Sequence, residues 1–163
     1  MIALLIVPAI TVSLFFSKSI NAEAASVELL TWDLVDSNKR LHWAGDSAYL
    51  TSFTSGVKVW NDYKPGVIWK ANDTTDTDVT ISDYYEVSST AGVTTSYHRM
   101  KFNTYRMEGF NSTQRKNVAM HELGHALGLA HNLEGDVMYS YVSTKVTLSE
   151  NDKASYDAAY ERY

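Results

Sequence analysis

Between residues 27 and 34 apolar and polar side chains alternate, the period of a half-buried strand or an extended lead-in. Residues 39–43 repeat that pattern before the turn Ala44-Gly45-Asp46. The period then changes: Tyr49, Leu50, Phe53, Val57 and Trp60 fall three or four apart, which predicts an amphipathic helix over 47–60 opened by Asp46 or Ser47. Pro65-Gly66 marks a turn, and Val67-Ile68-Trp69 predicts a buried strand. After the polar loop 72–78, strand patterns recur at 79–87, 92–97 and 99–107, the last marked by Met100, Phe102 and Tyr105. Asn111-Ser112 caps a long helix reaching about residue 127, and Ser149-Glu150-Asn151-Asp152 is a capping-box start for a last helix to about residue 160. This order, with no internal repeat, predicts one sheet in an α+β or α/β domain.

A chain of 163 residues allows one domain with little room for a second. Its first stretch stands apart. Residues 2–16 are mostly apolar, interrupted by Pro8, Thr11 and Ser13, and fall short of the ~20 residues a spanning helix needs. Polar Ser17-Lys18-Ser19 and the small-x-small pattern Ala22-Glu23-Ala24 follow. This predicts a secretory signal peptide over 1–24, cut after Ala24 or Ala25, and hence a secreted, extracellular protein. No Lys or Arg precedes the apolar run, which keeps an uncleaved membrane anchor as the alternative. Residues 25–38 are then a short lead-in and 39–163 the catalytic or binding domain, expected as a monomer.

Composition narrows the chemistry. The chain carries 14 Lys+Arg against 19 Asp+Glu, a net charge of −5, which argues against a nucleic-acid partner. It has no cysteine, which excludes disulfides, thiolate metal sites and a cysteine nucleophile. Catalysis is left to histidines, carboxylates, hydroxyls or an added metal.

Three of the five histidines lie in His121-Glu122-Leu123-Gly124-His125-Ala126-Leu127-Gly128-Leu129-Ala130-His131. Residues four apart on a helix share a face, so His121 and His125 can meet one zinc ion about 2.0–2.1 Å from each ring nitrogen. Glu122, three residues before His125, borders that face and can reach a water without ligating. Gly128 suits the left-handed end of a helix, and a reversal there brings His131 back as a third ligand. Three histidines leave the fourth zinc position open, the pattern of a catalytic site.

His121-Glu122-x-x-His125-x-x-Gly128-x-x-His131, followed by Met138, resembles the metzincin zinc signature and its Met-turn. The wording between 121 and 131 is similar to the matrixin branch, in particular to its small secreted bacterial-type members. Asn103-Thr104-Tyr105 resembles the last strand of such proteins, and Leu148-Ser149-x-x-Asp152 with its tyrosine-rich continuation is similar to the matrixin C-terminal helix. The resemblance implies an α+β fold: a twisted mixed sheet of about five strands packed on two long helices, a Met-turn and a C-terminal helix. It implies one zinc per chain on His121, His125 and His131, and hydrolysis of internal peptide bonds by a zinc-activated water with Glu122 as general base. Substrates would be proteins or peptides. Gly128 and Met138 would support the site, Met138 as an apolar floor beneath the histidines. Tyr139 and Tyr141 would assist the oxyanion, wall the substrate pocket or simply pack.

Two departures from the animal matrixins follow from the residues present. A second, structural zinc cannot be assembled from the remaining His42 and His98, and latency through a pro-segment cysteine is excluded. Asp73, Asp76 and Asp78 have the spacing of a loop that could hold calcium through oxygen ligands, although a solvated loop explains them as well. Asn72-Asp73-Thr74 and Asn111-Ser112-Thr113 are glycosylation sequons. The pocket for the residue after the scissile bond is expected from Tyr141, Val142, Val146 and Leu148, with Lys145 the one charge among them; this predicts a preference for medium or large apolar residues. The competing readings are a zinc-binding module without turnover, against which Glu122 counts, and a narrow peptidase with one partner substrate.

Overall fold

The computed structural model describes residues 24–163 except Thr74. In chain order they form β1 (Leu41–Gly45), α1 (Leu50–Tyr63), β2 (Ile68–Lys70), β3 (Val79–Tyr84), β4 (Gly92–Thr95), β5 (Arg99–Asn103), α2 (Thr104–Met107), α3 (Ser112–Ala126) and α4 (Glu150–Tyr160). All but the last residue of the predicted signal peptide lies outside the described residues. Among those described, no helix is long and apolar enough to cross a membrane.

Alternation builds the sheet. Leu41 and Trp43, Val79 and Ile81, and Met100 and Phe102 are pairs two residues apart, and each pair turns one face of its strand into the core. The five strands lie in the order β2-β1-β3-β5-β4. β1 pairs in parallel with β2 and β3, and β3 with β5, while β4 runs antiparallel to β5 at one edge. The fold is therefore a single α+β domain on a mixed five-stranded sheet, as the sequence implied. Its long helices α1 and α3 pack on one another, and α3 runs beside the edge strand β4. Phe53 and Trp60 of α1 are fully buried, and the Trp60 indole donates to the Met120 carbonyl at 3.0 Å, tying the two helices together.

Several boundaries differ from the sequence reading, and two of them have a clear tertiary reason. α1 starts at Leu50 and not at 47, because Asp83 of β3 takes the Ser47 hydroxyl (2.6 Å) and the Ala48 amide (2.7 Å) into a turn ahead of the helix. The strand expected over 99–107 ends at Asn103. That buried amide donates to the Glu86 and Thr90 carbonyls and accepts from the Glu86 amide, so the chain is pinned there and turns into the short α2. Residues 27–34 take the second of the two forms the sequence allowed, an extended lead-in, with one isolated bridge between Leu29 and Leu129. The lead-in is nevertheless fastened. Leu30 and Leu34 donate to the Gly128 and Ala126 carbonyls, Ala130 donates to Glu28, and the Ser26 and Glu28 amides donate to Asn151 and Ser155 of α4.

Candidate active site

The helix α3 starts from a reciprocal cap: Asn111 accepts from the Gln114 amide (3.0 Å) while the Gln114 side chain accepts from the Asn111 amide (3.1 Å). Along α3, Gln114, Asn117, Val118, His121, Glu122 and His125 recur three and four apart and line one cleft of about 650 Å³. Past Leu127 the chain reverses at Gly128, whose φ of +87° is the left-handed conformation a side chain resists, and His131 returns to the same cleft. The three imidazole centroids stand 4.6, 5.1 and 5.0 Å apart, and one donor atom from each lies within 4.8 Å of the others.

Backbone carbonyls fix two of the rings. His121 Nδ1 meets the Val137 carbonyl at 3.0 Å and His125 Nδ1 meets the Leu129 carbonyl at 2.9 Å. A carbonyl can only accept, so each Nδ1 carries the proton and each Nε2 keeps its lone pair. Burial, reinforced by the neighbouring His125, pushes His121 down to about 3, and burial lowers His125 as well. Neutral imidazoles with free Nε2 atoms are the donor state a zinc ion requires. The residues present fit that metal.

Glu122 is 4% exposed, and burial pushes its carboxyl up to about 7 against the pull of its hydrogen bond from Thr94. The Thr94 hydroxyl donates to Glu122 Oε2 at 2.7 Å. Gly92, two residues earlier on the same face of β4, leaves the space the carboxyl occupies: a Cβ there would stand 2.7 Å from Oε1. The edge strand thus seats Glu122 beside the histidines. Sequence reasoning missed Gly92 and Thr94; period two puts them on one face, but nothing local links that face to Glu122.

These groups give metal-free protein a defined pH response. Between about pH 3 and 6.5 the unfolded chain protonates His121 and the folded chain does not, so stability rises with pH. Glu122 acts oppositely: the folded state holds its proton up to about pH 7 and the unfolded state releases it near the ordinary 4.5, so its contribution falls across that window. With His125 joining His121, the histidines outweigh the glutamate. Urea midpoints of metal-free protein should rise from pH 4.5 to 6.5, and Glu122→Gln should steepen the rise. A flat or falling profile contradicts the burial of these rings.

The matrixin family matches the chain over residues 83–161, from the end of β3 through α4. That match, with the three converging histidines inside it, supports a matrixin-like metallopeptidase. No curated protein matches it. The likeness implies zinc binding, and the matched span contains all the converging side chains.

Elsewhere in this matrixin-like domain the sequence readings fare unevenly. Met138 is buried at 1% exposure, with its sulfur in the space that a Cβ at Gly124 would need. Tyr139 and Tyr141 both line the cleft, their rings 5.4 Å apart, with Tyr141 largely exposed. Of the expected pocket walls Tyr141 and Val142 line the cleft, whereas Val146 and Leu148 pack against the core. Lys145 is not in the cleft wall; Arg106, which the sequence reading passed over, is. The calcium expectation has no support. Asp73 spends its carboxylate on Thr75 and the Asp76 amide within its own loop, and Asp78 turns away to His42. His42 Nδ1 lies 3.0 Å from Asp78 Oδ2, with Asp36 4.0 Å away, and His98 Nδ1 lies 2.7 Å from the Asp78 carbonyl oxygen. Both leftover histidines are thus hydrogen-bonded, and His42 gathers Asp36 and Asp78 into a second group whose donor atoms lie within 4.8 Å of one another.

Proposed function

We propose that the protein is a secreted zinc endopeptidase. The observation that carries this reading is the convergence of His121, His125 and His131 with buried Glu122 in one cleft bounded by an edge strand. His121, His125 and His131 would hold the ion, the first two through the Nε2 atoms that their Nδ1 contacts leave free. Zinc, when bound, supplies a Lewis acid that acidifies water and polarises the scissile carbonyl.

The chain's own groups supply the rest. Glu122, seated by Thr94, takes the proton of the attacking water and delivers it to the leaving nitrogen. Tyr139 and Tyr141, with hydroxyls at the cleft, are the candidates to donate to the carbonyl oxygen as charge develops. β4 pairs on one side only, leaving its other backbone edge to receive an extended peptide antiparallel to it. A peptide held as an added strand continues past both ends of β4, which favours internal bonds over terminal ones. Secretion is supported by the apolar run at 2–16 and the Ala22-Glu23-Ala24 pattern. A zinc module without turnover has no use for a buried acid placed against Gly92 and Thr94.

Metal analysis of the full chain should find one zinc, and its removal by a chelator should abolish hydrolysis of an unfolded protein substrate. One equivalent of zinc should restore it. Two tightly held zincs would reveal a site outside the three histidines, and hydrolysis that survives complete zinc removal would sink the mechanism.

A further inference from the structure

Arg106 of α2 lines the cleft without an ion pair or hydrogen bond among the described residues, and its Nε is enclosed with no acceptor. The guanidinium lies 5.5 Å from the Phe110 ring centroid, which holds it as a flat cation against one wall. The polar neighbours do not neutralise it. Asn117 is turned to the 143–145 segment, its amide donating to the Lys145 carbonyl (2.7 Å) and its oxygen accepting from the Ser143 amide (2.8 Å). The oxygen of Gln114 is taken by the cap of α3, leaving its NH₂ to donate. The one acid in the cleft wall is Glu122, already held by Thr94. An arginine in the cleft wall whose guanidinium has no hydrogen bond or ion pair among the described residues has the chemistry of a receptor for a foreign carboxylate.

Polarity places that carboxylate on the substrate. Gly92 of β4 pairs with Phe102 of β5, and β5 leads directly into α2, so Arg106 belongs to the Gly92 end of the edge strand. A peptide antiparallel to β4 enters at the Thr95 end and leaves at the Gly92 end, carrying its C-terminal side toward Arg106. Along α3, Gln114 lies seven residues before His121, about 10 Å at helical rise. A glutamate just after the scissile bond and an arginine side chain reaching toward it span that separation together.

Resting on the peptidase reading, we propose that Arg106 makes the enzyme select an acidic residue, glutamate above all, immediately after the bond it cuts. Val118 and Phe110 at the cleft wall suit the methylenes of such a side chain, and Arg106 with Gln114 receives its end. The apolar walls anticipated from sequence remain, but the group that discriminates is cationic.

The test uses three peptides identical except for Glu, Gln or Leu after the scissile bond. kcat/KM is measured for the zinc-loaded enzyme, and Kd for the zinc-loaded, turnover-deficient Glu122→Gln variant. Glutamate should exceed glutamine by about tenfold in both. Arg106→Met should erase the difference while still cleaving the leucine peptide, and Arg106→Lys should retain part of it. Equal values for glutamate and glutamine in the wild type, with brisk cleavage of leucine, overturn the assignment and leave the peptidase standing. Tighter binding of the glutamate peptide without cleavage of any of the three does the reverse.

Discussion

Glu122→Ala protein should fold, bind its zinc and lose at least ~10²-fold in kcat, with KM little changed. The side chain touches none of the three imidazole nitrogens that converge, so the donor set survives its removal. Nor is a partner stranded. The Thr94 hydroxyl already has a second acceptor in the Glu122 backbone carbonyl at 3.1 Å, which stays in the variant. The lost carboxyl sat against Gly92, and its burial disfavoured the ionised form, so folding loses little. What disappears is the group that moves the proton. Zinc content by metal analysis, thermal unfolding and peptide hydrolysis separate these effects, and near-normal hydrolysis by folded, zinc-loaded variant would falsify the assignment of the base.

Asp152→Ala should cost about 3–5 kcal/mol of stability and loosen the metal centre at a distance. Asp152 is fully buried at the first turn of α4. Its carboxylate accepts from the Val137 amide (2.9 Å), the Met138 amide (3.1 Å), the Ser149 amide (2.8 Å) and the Ser149 hydroxyl (2.9 Å). Alanine leaves buried amides without acceptors, each costing about 1–3 kcal/mol. The Val137 carbonyl orients His121, so a shift of that peptide unit reaches a proposed ligand. Urea denaturation measures the first effect and competition with a chelator the second. Asp152→Asn keeps one acceptor but turns an NH₂ toward a donor, and should fall between. A loss below about 1 kcal/mol would show that the turn at 136–139 holds itself.

What could be read from the residues was what depends on near neighbours. The caps at Asn111 and Ser149, the spacing of His121, Glu122 and His125, and the reversal at Gly128 are all local, and the structure places each as the sequence implied. The misplaced boundaries share a different cause. Asp83 reshapes the start of α1 from 36 residues away, as Asn103 shapes the connection after β3 from 17. The cleft follows the same division. His121 and His125 announce themselves, whereas Thr94, Gly92 and Arg106 acquire meaning only when the edge strand and α2 are brought against α3. In the Asp73–Asp78 loop the spacing alone allowed convergence, but the loop lacks a calcium site's glycine and bidentate glutamate, and His42 draws Asp78 elsewhere.

The fastening of the lead-in gives the domain an order of assembly. Residues 26–34 bond to the turn that carries the chain from His125 to His131, and also to α4, 125 and 127 positions away in sequence for Ser26 and Glu28. Such distant pairings close late in folding, because their loop entropy must be met by contacts already made. A chain emerging from the ribosome as far as His131 has its three histidines but neither Asp152 nor the α4 surface that completes the turn. The metal pocket can therefore become rigid only after residues 150–160 have left the ribosome. Synthesis itself sets the moment at which this domain becomes able to cut.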